Sequence, residues 1–206
     1  MQFEKANQQD VYIFQDVETT GLDSLEDSML QIAAIATSAT LVELDEFETL
    51  IAPFPGALDR MSDYVRNMHT ENGLLERIET ENPPDVLKVG NIFCNWLENL
   101  KKPGGNLYFV GNSIHGVDWP FTVKDTPQIY MNHGGPVHYR AIDVTGLRLT
   151  LAQWTGLDFA YEKNNTHTAM EDARECLEEY KFLKKCTEDY FFETFKESMH
   201  TPPSVL

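Results

Sequence analysis

Basic residues are scarce in this chain: 16 Lys and Arg stand against 33 Asp and Glu, a formal net charge of −17 at pH 7. Tracking a long phosphate backbone takes clustered cations, so this balance argues against extended polyanions as ligands. A nucleic-acid substrate is expected to be very short, or to be gripped locally through a divalent metal. The competing reading is that the acidity serves solubility alone. Cysteine is equally sparse. Cys94, Cys176 and Cys186 have no CxxC spacing and cannot all pair within one chain. They read as ordinary reduced thiols, which makes a cytoplasmic setting the expected one. No apolar run approaches the length of a membrane span, and the first residues lack the basic-then-apolar pattern of a signal peptide.

What is present suffices for a core. Over 206 residues, apolar content of 42% and aromatic content of 11% support a folded domain rather than wholesale disorder. Residues 1–10 and 200–206 read as loose termini around one domain. "VYIFQDVE" reads as a central strand, apolar on both faces in its first half. "SMLQIAAIATSAT" and "LVELDEFETLIA" read as two further strands with a tight turn near Ala39. Residues 62–80 contain short helical stretches interrupted at Asn72-Gly73, and the apolar spacing from Val86 to Leu100 marks an amphipathic helix. "NLYFVG" is a fourth strand. Residues 115–136 read as an irregular loop with room for a short helix, "VHYRAIDV" as strand-like or a lead into the helix "TGLRLTLAQW", and Thr166 to Phe195 as a long helical pattern. The three tryptophans are expected to pack. The whole is an α/β domain, its sheet antiparallel and then mixed, flanked by helices.

The chemistry centres on "DVETTGLD". Asp16 and Glu18 stand two apart in a strand, so both carboxylates point to one face. Like charges that close need a proton or a metal ion to neutralise them, unless they merely end a strand in solvent. If they hold metal, more oxygen ligands must come from elsewhere. Asp118 offers one shortly after a strand, beside Asn112 and Ser113. His167 and Asp172 frame the start of the last helix, where Thr168 and Glu171 have capping-box spacing. Four carboxylates with one nearby histidine suit Mg²⁺ or Mn²⁺ better than zinc. Two such ions would bridge a scissile phosphate, and an imidazole would take the proton from water near neutral pH.

The ordered set "DVETTGLD", "GNSIxxxD" and "HxxxxD" resembles the DEDDh family of 3′→5′ exonucleases. "MHTENGLLERI", "VHYRAIDVTGLRL" and "THTAMEDARECLEEYKFL" extend the likeness to its oligoribonuclease branch over most of residues 11–185. That resemblance implies an RNase H-like mixed β-sheet flanked by α-helices, and release of 5′-mononucleotides from the 3′ ends of short 5′-phosphorylated oligoribonucleotides, dinucleotides especially. It implies two Mg²⁺ or Mn²⁺ ions on Asp16, Glu18, Asp118 and Asp172, with His167 as general base. By the same resemblance, Leu22 wedges between two bases and His69 packs on a base. Ser113, beside Asn112, holds the 5′-phosphate with Arg140 and Thr145, and the protein is a homodimer in which Tyr139 and Arg140 act across the interface. The chain departs from the pattern in one place: Asp118 lies six residues after Asn112 rather than five, and Trp119-Pro120 follows it. The extra residue must be absorbed around His115-Gly116 for Asp118 to point inward. The alternatives are a general single-strand DNA or RNA exonuclease, which would need a basic groove, and a catalytically lapsed nucleotide-binding homologue.

Overall fold

Strand β1 (Val11–Thr19) forms the axis of the domain: seven of its nine residues are buried, on one face of the sheet or the other. It pairs antiparallel with β2 (Met29–Ser38), which pairs antiparallel with β3 (Glu43–Leu50). On its other side β1 runs parallel to β4 (Leu107–Gly111), and β4 to the two-residue β5 (Ile142–Asp143). The five-stranded order is β3-β2-β1-β4-β5. This computed structural model describes residues 7–162 and 167–200, with side chains at the C-terminal end only as far as Tyr190. Residues 1–6 and 201–206, which form most of the expected loose termini, lie outside the described residues.

Helices cover both faces of the sheet. Between β3 and β4 run α1 (Asp63–Glu71), α2 (Leu74–Glu81) and α3 (Val86–Leu100); α4 (Asp118–Asp125) follows β4, and α5 (Val144–Thr155) and α6 (Ala169–His200) follow β5. Val11, Ile13 and Val17 of β1 pack with Phe93 and Leu97 of α3 and Phe121 of α4. Phe14, one residue out of phase, packs on the opposite side with Leu151 of α5 and Ala173 and Leu177 of α6. The period-two alternation of a strand thus divides β1 between two cores. A third cluster, from Leu30 and Leu50 to Leu74 and Ile78, seats α1 and α2 at one end of the sheet.

Helix boundaries follow local chemistry. Ser62, Asp85 and Asp143 each cap a helix by accepting a backbone N–H three residues on. The stretch read as strand-like or a lead into a helix is both: β5 covers only Ile142–Asp143, and the cap at Asp143 starts α5 immediately after it. Residues 115–136 hold the short helix for which the sequence left room, α4, followed by two short 3₁₀ turns, Pro127–Ile129 and Met131–His133. Thr168 and Glu171 meet as expected, but the Thr168 hydroxyl donates to the Glu171 carboxylate at 3.0 Å. Trp96 and Trp119 pack against the core, whereas Trp154 is 73% exposed on the outer face of α5, contrary to expectation.

The β3 edge is strongly acidic. Glu43, Asp45, Glu46 and Glu48 lie along a strand whose first half is exposed. Arg174 and Lys181 of α6 pair with Glu43, Arg174 also reaches Glu46, and the Trp96 indole donates to Asp45 at 2.9 Å. Arg77 lies 3.5 Å from Glu48, to which the Gln31 amide also donates. No helix among the described residues is long and apolar enough to cross a membrane.

Candidate active site

Asp16 and Glu18 share the face of β1 that carries Phe14, and so look toward α6. Asp172 stands in the first turns of that helix. The carboxylates of Asp16, Glu18 and Asp172 converge, with one oxygen from each lying within 4.8 Å of the others. Three anions from two elements are unfavourable at this distance without a balancing charge. Glu18 shows the effect. It is only 7% exposed, and burial, followed by the charges of Asp172 and Asp118, pushes its carboxyl up to about 8. An all-oxygen cluster of this kind fits a hard divalent cation such as Mg²⁺ or Mn²⁺ rather than zinc.

Asp118 reaches the same region by another route. The parallel ladder between β1 and β4 ends at the Phe14–Val110 pair, and the Val17 N–H beyond it donates to Asp118 Oδ1 at 3.2 Å. Asp118 is the first residue of α4, buried, and outside the three-carboxylate cluster. Burial first, then Asp143 and Asp172, raise its carboxyl to about 7, while the Val17 amide opposes the rise. The extra residue before it is taken up in a turn from Asn112 to Val117. There Gly116 N–H donates to Ser113 O at 2.7 Å, Trp119 N–H donates to Ile114 O at 2.8 Å, and Ile114 is fully buried in the core. Ser113 pays for the turn with a left-handed backbone, φ 52°.

Two histidines flank the carboxylates in different ways. His167 is exposed just before α6 and takes a left-handed backbone at φ 53°. The Asn72 side-chain amide donates to its carbonyl, tying the end of α1 to the approach to α6. His69 is fully buried, and its Nε2 contacts the Thr19 carbonyl at 2.9 Å. A carbonyl only accepts, so Nε2 carries the proton and Nδ1 presents a bare lone pair, 3.9 Å from Glu18 Oε2. Burial is the main cause holding His69 below the usual histidine range; the Thr19 bond opposes it and His167 adds to it. His69 therefore lies beneath Glu18, with no ring face exposed for a base to cover.

The expected substrate residues fall into two groups on either side of the cluster. On the β2 side, Leu22 is 77% exposed at the rim of a cavity of about 640 Å³. On the β4–β5 side, Ser113 Oγ donates to Thr145 Oγ1 at 3.3 Å, joining the two residues expected to hold a phosphate. Asn112 precedes them at the end of β4. Tyr139 and Arg140 project outward and stack on each other, the guanidinium 5.2 Å from the ring centre. The sequence reading missed Asn72, which it took only as a helix interruption. It also missed Arg60, Tyr64, Val65 and Met68, which line the cavity with Leu22; nothing local in the sequence marks them as a group.

Comparison with known proteins adds independent findings. An exonuclease (RNase T) family profile matches residues 13–180. The chain is 32% identical over 173 residues to an oligoribonuclease of Cutibacterium acnes, covering 82% of each chain. It is 33% identical over 189 residues to an oligoribonuclease of Haemophilus influenzae, covering 90% of this chain and 97% of that one. It is also 31% identical over 175 residues to a mitochondrial oligoribonuclease of Mus musculus, covering 84% and 71%. Among solved structures, Escherichia coli exonuclease I in complex with a dT13 oligonucleotide superposes with a TM-score of 0.62 at 16% identity. That match covers 92% of this chain but 44% of that one. Exonuclease I without ligand gives 0.58 at 16% identity over 90% of this chain and 45% of its own.

Proposed function

The chain belongs to the exonuclease family and is a 3′→5′ exoribonuclease of RNase H-like fold, and from that premise we propose that it acts on short 5′-phosphorylated oligoribonucleotides, dinucleotides above all, releasing 5′-mononucleotides. The observation that carries the reading is the convergence of Asp16, Glu18 and Asp172 within 4.8 Å at the end of β1.

The family is divalent-metal dependent, and this donor set fits. Asp16, Glu18 and Asp172, joined by Asp118, would hold two Mg²⁺ or Mn²⁺ ions. When bound, such ions polarise the phosphoryl oxygens and stabilise charge on the attacking and leaving oxygens. The protein's own groups do the rest. His167, exposed at the start of α6, takes the proton of the attacking water on an imidazole nitrogen. Water adds to phosphorus, the bond to the upstream 3′-oxygen breaks, and the 3′-terminal residue leaves as a 5′-mononucleotide. Leu22, at the cavity rim, separates the two bases. The neutral His69 beneath Glu18 fixes the end of β1 through its bond to Thr19.

Length selection rests on the other side of the cluster. Ser113 and Thr145 are already within hydrogen-bond distance of each other, so both hydroxyls can meet one 5′-phosphate. A pocket closed by such a cap needs few cations, which agrees with a chain of net charge −17. Arg140 completes the cap from the partner subunit of a homodimer, with Tyr139 beside it. The outward projection of that pair supports this, as does the exposed apolar surface of Leu149, Trp154 and Leu157 near α5.

The test is a rate series on 5′-phosphorylated RNAs of two to about ten nucleotides with Mg²⁺ or Mn²⁺, and matched DNA alongside. A maximum at two nucleotides that is lost without the 5′-phosphate is the expected result. A flat or rising profile would replace the capped pocket with a general single-strand exonuclease.

A further inference from the structure

The cavity beside Glu18 has mostly apolar walls, formed by Val17, Leu22, Tyr64, Val65 and Met68. Its polar lining is nearly all engaged within the protein. The Thr19 hydroxyl donates to Gly21 O, and the Thr20 hydroxyl to Asp27 Oδ1. Asp27 Oδ2 accepts from the Asp23 N–H, and Ser62 Oγ accepts from the Val65 N–H as the cap of α1. Glu18 belongs to the metal cluster. Arg60 is left as the one lining side chain with several donors to spare.

Arg60 is also held in place. One Nη2 proton goes to Glu26 O at 2.6 Å, and the guanidinium lies over the Phe54 ring, 5.0 Å from its centre. An arginine braced from below and at one end has little side-chain entropy left to lose on binding a planar partner. Among the described residues, no carboxylate forms an ion pair with it. In a chain where acids outnumber bases two to one, such a cation stands out.

We propose that Arg60 reads the base of the 3′-terminal nucleotide and favours guanine there. This inference rests on the exonuclease reading above and adds a substrate preference to it. The carboxylate cluster lies between the Ser113–Thr145 pair on the β4–β5 side and this cavity on the β2–α1 side. A substrate whose 5′-phosphate occupies the first therefore places its leaving 3′ nucleoside in the second. Arg60 offers donors only, so it favours a base edge with two adjacent acceptors. Guanine presents O6 and N7 in that way, the pair to which arginine commonly binds in a bidentate manner. Adenine sets an amino donor beside N7. Cytosine also has two acceptors, but its O2 lies next to the glycosidic bond and so turns toward the sugar.

The experiment measures kcat/KM in Mg²⁺ for pApG, pApA, pApC, pApU and pApG carrying 7-deazaguanine, with wild type and Arg60→Met. A bidentate contact predicts that pApG exceeds the other natural dinucleotides by about tenfold in the wild type. The 7-deaza substrate, lacking the N7 acceptor, falls most of the way to pApA. Arg60→Met brings pApG down to the same level and lowers pApA by much less. Equal rates on all four dinucleotides would overturn the proposal. So would a preference for another base, a guanine preference that survives in Arg60→Met, or an equal loss on all four substrates, which would mark a phosphate contact or a loop brace. A parallel series of pentanucleotides ending in each base reads the preference independently of length. Loss of the dinucleotide maximum would then count against the capped pocket alone, and a missing guanine preference against Arg60 alone.

Discussion

Replacing Glu18 by Gln removes one charge from the buried cluster and leaves the shape of the side chain. The carboxyl is held at about 8 rather than near 4.5, chiefly by burial and then by Asp172 and Asp118. A group whose folded-state pKa lies above its unfolded value binds more protons when folded. In metal-free protein, Glu18 therefore withdraws stability as pH rises from about 4.5 to about 8. At roughly 1.36 kcal/mol per pH unit, that interval amounts to on the order of 4–5 kcal/mol once Glu18 is fully ionised. Glutamine has no proton to lose, so Glu18→Gln in EDTA should be more stable than wild type at pH 8.5 and near parity at pH 5. For a chain of this size the high-pH gap corresponds to roughly 8–20 °C in melting temperature. Adding Mg²⁺ or Mn²⁺ should reverse the order at pH 8.5, because the cation relieves the wild-type cluster and binds the variant weakly. The assay is thermal melting at pH 5, 7 and 8.5, with and without metal. Parallel pH profiles for the two proteins in EDTA would refute the argument that the burial of Glu18 sets this balance.

His167→Ala should lower kcat by at least about a hundredfold while the melting temperature stays within a few degrees; unchanged turnover would remove His167 as the base. Asn72→Ala cuts the side-chain tie to the His167 carbonyl, and should lower kcat by about fivefold to tenfold with little change in KM, read on a dinucleotide. Arg140→Ala should reduce kcat/KM on 5′-phosphorylated dinucleotides about tenfold or more, with a much smaller loss on longer strands; equal losses would deny it the phosphate. If Tyr139 and Arg140 act across an interface, mixing Arg140→Ala with Asp16→Asn subunits should restore part of the activity that each lacks alone, measured after exchange at high concentration.

The strand bearing Asp16 and Glu18 was legible because its pattern is local: period two sets both carboxylates on one face, and apolar neighbours bury the rest. Asp172 was legible for the same reason, lying a fixed helical distance beyond Thr168. The placement of Asp118 was not. It depends on where the β1–β4 ladder runs out, which frees the Val17 N–H for a residue 101 positions away. His69 reads from sequence, by resemblance alone, as a base contact on a short helical stretch. Only the packing of α1 under β1 reveals that it is wholly buried behind Glu18, rather than open to a base. Trp154 erred in the opposite direction: its spacing fits a helix core, but α5 turns that face outward. Asn72 was visible as a breaker, since Asn-Gly ends helices, yet its bond to the His167 carbonyl crosses 95 positions of chain.

The acidic β3 strand makes the sheet asymmetric in what it can join. An open sheet has two borders, and unpaired backbone groups at either border can recruit another strand. On the β3 border, Glu43, Asp45, Glu46 and Glu48 stand along the strand, pinned by Arg174, Lys181 and Arg77. A second copy approaching there would bring the same row of charges, and like would face like. The opposite border ends in a strand only two residues long, followed at once by α5. Strand addition at β3 is thereby disfavoured, and Tyr139 and Arg140 project from the far end of the sheet. A protein kept from growing as a ribbon in this way can carry exposed aromatic side chains at one end without polymerising through the other.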